Sequence, residues 1–130
     1  MDELPPILVA EDEALVRLTI VEALKDGGYE VLEAADGAAA LKEVVQSEHL
    51  RGLVTDIRIA SGADGWEVAR QARQKFPALA VVYVTGDSIA DWPAYGVPQS
   101  AVLQKPFACA ELVTALANLL VAQQSAPPQP

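Results

Sequence analysis

Residues 50–66 read LRGLVTDIRIASGADGW. An apolar run stops at Asp56, a loop of small residues carries a second acid at Asp64, and Trp66 opens a stretch that reads as a helix. Such a short apolar run fits a buried strand with Asp56 at its C-terminal end. Four more runs of the same kind flank it: ILVA (7–10), YEVLEA (29–34), LAVVYVT (79–85) and AVLQ (101–104). Between the runs the apolar period becomes helical. Val16, Ile20, Ala23 and Leu24 make one stripe, closed by Gly27 and Gly28, and Leu112, Leu116, Leu119 and Leu120 make another after Pro106. Strand and helix alternate five times, which predicts a (βα)5 α/β domain whose parallel five-stranded sheet is doubly wound, with helices on both faces. The fourth helix should be short and irregular, because Pro93, Gly96 and Pro98 interrupt DSIADWPAYGVPQS.

At 130 residues the chain fits one domain with one core. The expected divisions are an N-terminal extension (1–5), the folded domain (6–122) and a disordered, proline-rich tail (123–130). A composition of 52% apolar and 21% charged residues argues against wholesale disorder, and no stretch approaches the ~20 apolar residues of a membrane span. The acidic start MDELPP lacks the basic segment of a secretory signal, so the cytoplasm is the expected compartment. A net charge of −9 would repel nucleic acid and anionic membranes, and neither is expected as a partner. The single cysteine, Cys109, reads as a packing thiol. His49, the only histidine, reads as a surface loop residue without partners for a zinc site or a catalytic triad.

In an open parallel sheet, ligands bind where the strands end, at the point where strand order reverses. Here the first strand is followed by Glu11, Asp12 and Glu13, and the third ends in Asp56. The fourth ends in Thr85 and Gly86, and the fifth in Lys105 and Pro106. Taken singly, each has an ordinary structural use: Asp12 as a helix N-cap, Thr85 as a cap for the fourth helix, Lys105 as a solvated charge. Together they change the balance. Two carboxylates about 5 Å apart repel by ~3 kcal/mol at an effective dielectric of 20, so clustered acids call for a cation. A few oxygen ligands point to Mg²⁺, and Lys105 and Thr85 suit the oxygens of a transferring phosphoryl group.

In these motifs (LVAEDE, VTDIR, DGWEVAR, VTG and LQKPF, in that order) the chain resembles the receiver domains of bacterial two-component response regulators over residues 6–122. The resemblance implies a flavodoxin-like fold with strand order 2-1-3-4-5. It also implies a signalling protein, not an enzyme, that catalyses only its own phosphorylation and dephosphorylation. Asp56 would accept a phosphoryl group from a histidine kinase or a histidine phosphotransfer protein. Mg²⁺ would be held by Asp12, Asp56 and the backbone carbonyl of Arg58, with Glu11 acting through water. Lys105 would pair with the phosphoryl group, and Thr85 would turn toward it as the switch hydroxyl. The output would be a contact with a downstream protein, or a phosphorelay in which the chain is shuttle or sink. A homodimer is among the assemblies the resemblance admits. The chain itself leaves no room for an output domain, so a free-standing receiver is expected.

Two departures bear on the switch. Four residues after Asp56 the family usually has proline, where this chain has Ala60, so a looser loop is expected. Three residues before Lys105 the family commonly has a rotating aromatic, where this chain has Val102; Tyr83, Trp92 and Tyr95 are candidates to supply it. Arg58, Gly86 and Asp87 should rim the site, and an Arg58–Asp87 pair is a candidate modulator of phosphoryl lifetime. Leu18, off the buried stripe of the first helix, is a candidate kinase contact. Two other readings are weaker. A dehalogenase-like Mg²⁺-dependent phosphatase would carry its nucleophile after the first strand in a D-x-D pattern, and a flavodoxin-like carrier would need hydroxyls where AEDEAL presents carboxylates.

Overall fold

The computed structural model describes residues 4–125. Valine, isoleucine and leucine runs build five strands: β1 (Pro6–Ala10), β2 (Glu30–Ala34), β3 (Gly52–Asp56), β4 (Ala80–Thr85) and β5 (Ser100–Gln104). They form one parallel sheet in the order β2-β1-β3-β4-β5, as expected. Because β1 lies between β2 and β3, the chain winds outward in both directions from it, and the crevice opens beyond the ends of β1 and β3.

Alternate strand residues feed two cores, which is why the central strands read as continuous apolar runs. Ile7, Val9, Val54, Val82 and Val84 pack under α1 (Ala14–Asp26) and α5 (Cys109–Ser125), against Ile20, Leu24, Leu112 and Leu116. Leu8, Leu53, Val81 and Tyr83 face α2 (Gly37–Gln46) and α3 (Gly65–Lys75), against Val44, Trp66, Val68 and Ala72. Leu18 stands 51% exposed, off the stripe. Asp36 caps α2 by accepting from the Ala39 amide at 2.7 Å, and Asp64 caps α3 by accepting from Glu67 at 2.9 Å. The second acid of the opening stretch is thus a helix cap.

The fourth helical segment is short: a 3-10 turn (Ile89–Asp91) runs into α4 (Trp92–Tyr95) and stops at Gly96. Side chains hold the segment between Gly96 and β5. The Tyr83 hydroxyl accepts from the Val97 amide at 3.0 Å, while Arg73 on α3 donates to the carbonyls of Leu79, Pro98 and Gln99 at 2.9, 2.7 and 3.2 Å.

Two expectations need correction. Helix α5 continues to Ser125, past the boundary set at 122, because alanine and glutamine sustain a helix and the first proline comes only at Pro127. The rest of the expected tail, like residues 1–3, lies outside the described residues. The loop after Asp56 is also tied down where a looser one was expected. Ala60 and Ser61 accept from the amides of Gly37 and Ala38, both at 3.0 Å, so the loop satisfies two free N–H groups at the start of α2. Ser61 and Gly62 turn the chain back with φ of 51° and 93°.

Candidate functional site

The site grows from backbone continuity at the strand ends. Beyond β1, Glu11 is drawn inward by its amide bond to the Ala34 carbonyl (3.1 Å), leaving its side chain fully buried, while Asp12 and Glu13 stand exposed. Asp56 closes β3 at 8% exposure, and Thr85 closes β4, buried. Lys105 follows β5, its amide bonded to the Thr85 carbonyl at 2.7 Å. Its ammonium reaches across the crevice to Glu11 Oε1 at 2.8 Å and Asp56 Oδ2 at 2.9 Å. One lysine therefore ties strands from both halves of the fold to the proposed nucleophile.

Glu11, Asp12 and Asp56 each offer a carboxylate oxygen, all within 4.8 Å of one another. Glu11 Oε2 is buried with no hydrogen-bond partner among the described residues. Three acids facing one ammonium, with a buried oxygen unsatisfied, fit a hard divalent cation, so this cluster could hold a metal. Burial pushes the Glu11 carboxyl up to about 7; its neighbour Asp56 adds to the rise and Lys105 opposes it. Burial pulls the other way on Lys105, but its bonds to Glu11 and Asp56 outweigh burial and raise its pKa.

The raised Glu11 value carries a pH signature. The folded protein holds a proton from the ordinary 4.5 up to about 7 that the unfolded chain has released. Stability from neutral Glu11 is therefore complete below pH 4.5 and is lost as pH rises through about 7. Urea unfolding in the presence of a chelator should show up to ~3 kcal/mol lost between pH 5 and 8, a slope that Glu11→Gln should largely abolish.

Asp12 is not the helix cap that one alternative reading suggested: the N-cap of α1 is Glu13, and no side-chain bond caps that helix. Thr85 does not cap the fourth helical segment either, which starts from Ser88 with no side-chain cap; its oxygen instead accepts from the amides of Asp87 at 3.2 Å and Ser88 at 2.9 Å in the turn that follows β4. Arg58 and Asp87 meet at 3.1 Å over the rim, 75% and 57% exposed, and Gly86 sits beside open space. Val102 lies opposite Tyr83 in the sheet register. Of the three candidate aromatics, only Tyr83 is fully buried, with the Trp66 ring centred 4.8 Å away; Tyr95 is 55% exposed, and Trp92 donates from Nε1 to Ser100 at 3.0 Å. Sequence reasoning missed Arg17, which donates to the Glu11 carbonyl at 2.8 Å and pairs with Glu33 at 3.3 Å. Its signal was available: it is the only basic residue before Lys25, six positions beyond Glu11. Among the described residues no helix is long and apolar enough to cross a membrane.

Comparison with known proteins agrees with this geometry. The family model of the response regulator receiver domain matches residues 7–117. The response regulator receiver protein CpdR of Brucella abortus is 38% identical over 118 residues, covering 89% of this chain and 97% of that protein. The sensor kinase CckA of the same organism is 34% identical over 90% of this chain, which spans only 13% of the kinase. The crystal structure of a response regulator receiver protein from Sinorhizobium medicae superposes with a TM-score of 0.90 at 40% identity, covering 93% of this chain and 98% of that one. The motifs, the sheet order and these matches agree, and the chain belongs to the response regulator receiver domain family.

Proposed function

We propose that Asp56 accepts a phosphoryl group from a histidine kinase, directly or through a histidine phosphotransfer protein, and that the domain then signals through contacts with another protein. The observation that carries this reading is the shared ammonium: Lys105 bonds Asp56 and Glu11 together, beside Asp12, at the mouth of the crevice. Glu11, Asp12, Asp56 and the Arg58 carbonyl would hold Mg²⁺, which when bound supplies positive charge to offset that of the transferring group. An Asp56 oxygen bonds to phosphorus as the donor's P–N bond breaks, and a carboxylate nucleophile needs no general base. Lys105 stays within reach to donate to phosphoryl oxygens.

Phosphorylation replaces the single charge of the Asp56 carboxylate with a phosphoryl group carrying about 1.5 to 2 negative charges and three acceptor oxygens at the end of β3. The Thr85 oxygen already uses its two lone pairs on the Asp87 and Ser88 amides, so its proton is the group left to answer the new charge. Movement there reaches Tyr83, two residues back on β4, and through its hydroxyl the Val97 amide after α4. In this reading Tyr83 takes the part that an aromatic at position 102 would play. Leu15 and Leu18, 76% and 51% exposed on α1 beside the site, support a kinase contact there. The expected setting is cytoplasmic.

Incubation with acetyl phosphate and Mg²⁺, followed by intact mass and peptide mapping, tests the assignment. One phosphoryl group on the Asp56 peptide is expected; a label on another residue, or none, overturns it. The Arg58–Asp87 pair should slow attack by water. An exposed pair is worth ~0.2–1 kcal/mol, so Arg58→Ala should lose its phosphoryl group about 1.4- to fivefold faster, and an unchanged decay rate removes the pair from this role.

A further inference from the structure

Asp12 is an exposed carboxylate on the segment joining β1 to α1, and such a side chain in water has several rotamers to choose from. Here one of its oxygens, Oδ2, accepts from the backbone N–H of Ala60 at 3.2 Å. The two peptide units that follow this N–H are fixed from the far side, since the Ala60 carbonyl accepts from Gly37 and the next carbonyl, of Ser61, accepts from Ala38, both at 3.0 Å. The loop thus spans from the first turn of α2 to the acidic cluster. A proline at position 60, the usual residue in this family, has no N–H to give.

We infer that Ala60 is a positioning residue: its N–H fixes the Asp12 carboxylate, and with it the loop bearing the Arg58 carbonyl, in the arrangement that receives a divalent cation. This rests on the proposed Mg²⁺ reading of the cluster. Fixing one oxygen leaves the other to the cation and removes part of the ordering cost of binding, as partners of metal-ligating carboxylates do elsewhere. Losing such a partner typically costs ~10–100-fold in metal affinity, and for a 3.2 Å bond at an exposed site the low end, about tenfold, is expected.

The test is a Mg²⁺ titration of the whole chain, monitored through the backbone amide resonances of Asp56 and Gly86. Three variants are compared: Ala60→Pro, Ala60→Gly, and a chain in which lactic acid replaces Ala60, so that an ester oxygen stands where the N–H was. The proline and ester chains should bind Mg²⁺ about tenfold more weakly, and Ala60→Gly, which keeps the N–H, should stay within about twofold of the parent. The ester chain carries the decision if the proline variant folds poorly. Parent-like or tighter binding by the ester overturns the inference while leaving the Mg²⁺ site standing. A parent whose resonances ignore Mg²⁺ overturns both.

Discussion

Asp56→Asn is expected to take up no phosphoryl group from acetyl phosphate while staying folded, with a stability at pH 8 within about 1 kcal/mol of the parent. The chemical half rests on the nucleophile: an amide oxygen lacks the charge with which a carboxylate attacks phosphorus. The energetic half rests on two opposing terms. The parent aspartate gains ~6 kcal/mol from Lys105 at 2.9 Å, taking an effective dielectric of 20. It loses ~3 kcal/mol to each of Glu11 and Asp12, whose oxygens lie within 4.8 Å. Asparagine removes all three terms at nearly constant shape, and Lys105 keeps Glu11 at 2.8 Å. Urea unfolding and intact mass on one preparation check both halves. Mg²⁺ should stabilise the variant less than the parent, since one ligand charge is gone.

Legibility in the sequence depends on which groups carry a residue-type signature. The sheet was legible because β3 and β4 are buried on both faces and so appear as unbroken apolar runs, GLVTD and AVVYVT. The site was legible through topology: Glu11 and Lys105 are 94 residues apart, yet both come directly after parallel strands, so they had to emerge on one edge of the sheet. Bonds to the main chain were not legible, because any residue can supply an amide or a carbonyl. Arg73 on three carbonyls, Lys75 on those of Val44, Val45 and Ser47 at the end of α2, and the Ala60 amide on Asp12 left no mark in the residue types. The loop after Asp56 was misjudged for this reason. Alanine in place of proline adds backbone freedom to the unfolded chain, but it also adds a donor, and here the donor is used.

Gly65→Ala should strain the end of β3 directly. Gly65 opens α3 immediately after its cap Asp64, and its amide donates to the Ile57 carbonyl at 2.7 Å, pressing the start of the helix onto the end of β3. A Cβ there would overlap the carbonyl oxygen of Asp56 and lie 2.7 Å from Ile57 Cα, both backbone atoms that no rotamer change can move aside. Either α3 backs away or the strand end carrying Asp56 shifts. Overpacking of this kind costs ~1–3 kcal/mol, and a clash between two backbones belongs at the upper end, so a loss of about 3 kcal/mol is expected by urea unfolding. Gly86→Ala provides the contrast, because a Cβ at Gly86 meets nothing within 4 Å and should change stability by no more than about 0.5 kcal/mol. A Gly65→Ala loss below about 1 kcal/mol would mean that α3 yields freely and does not brace Asp56. The rate of labelling by acetyl phosphate locates the strain: a reacting group displaced by ~1 Å can lose ~10²-fold in rate, so slow labelling in the folded fraction puts the shift at Asp56, and parent-like labelling puts it in the helix.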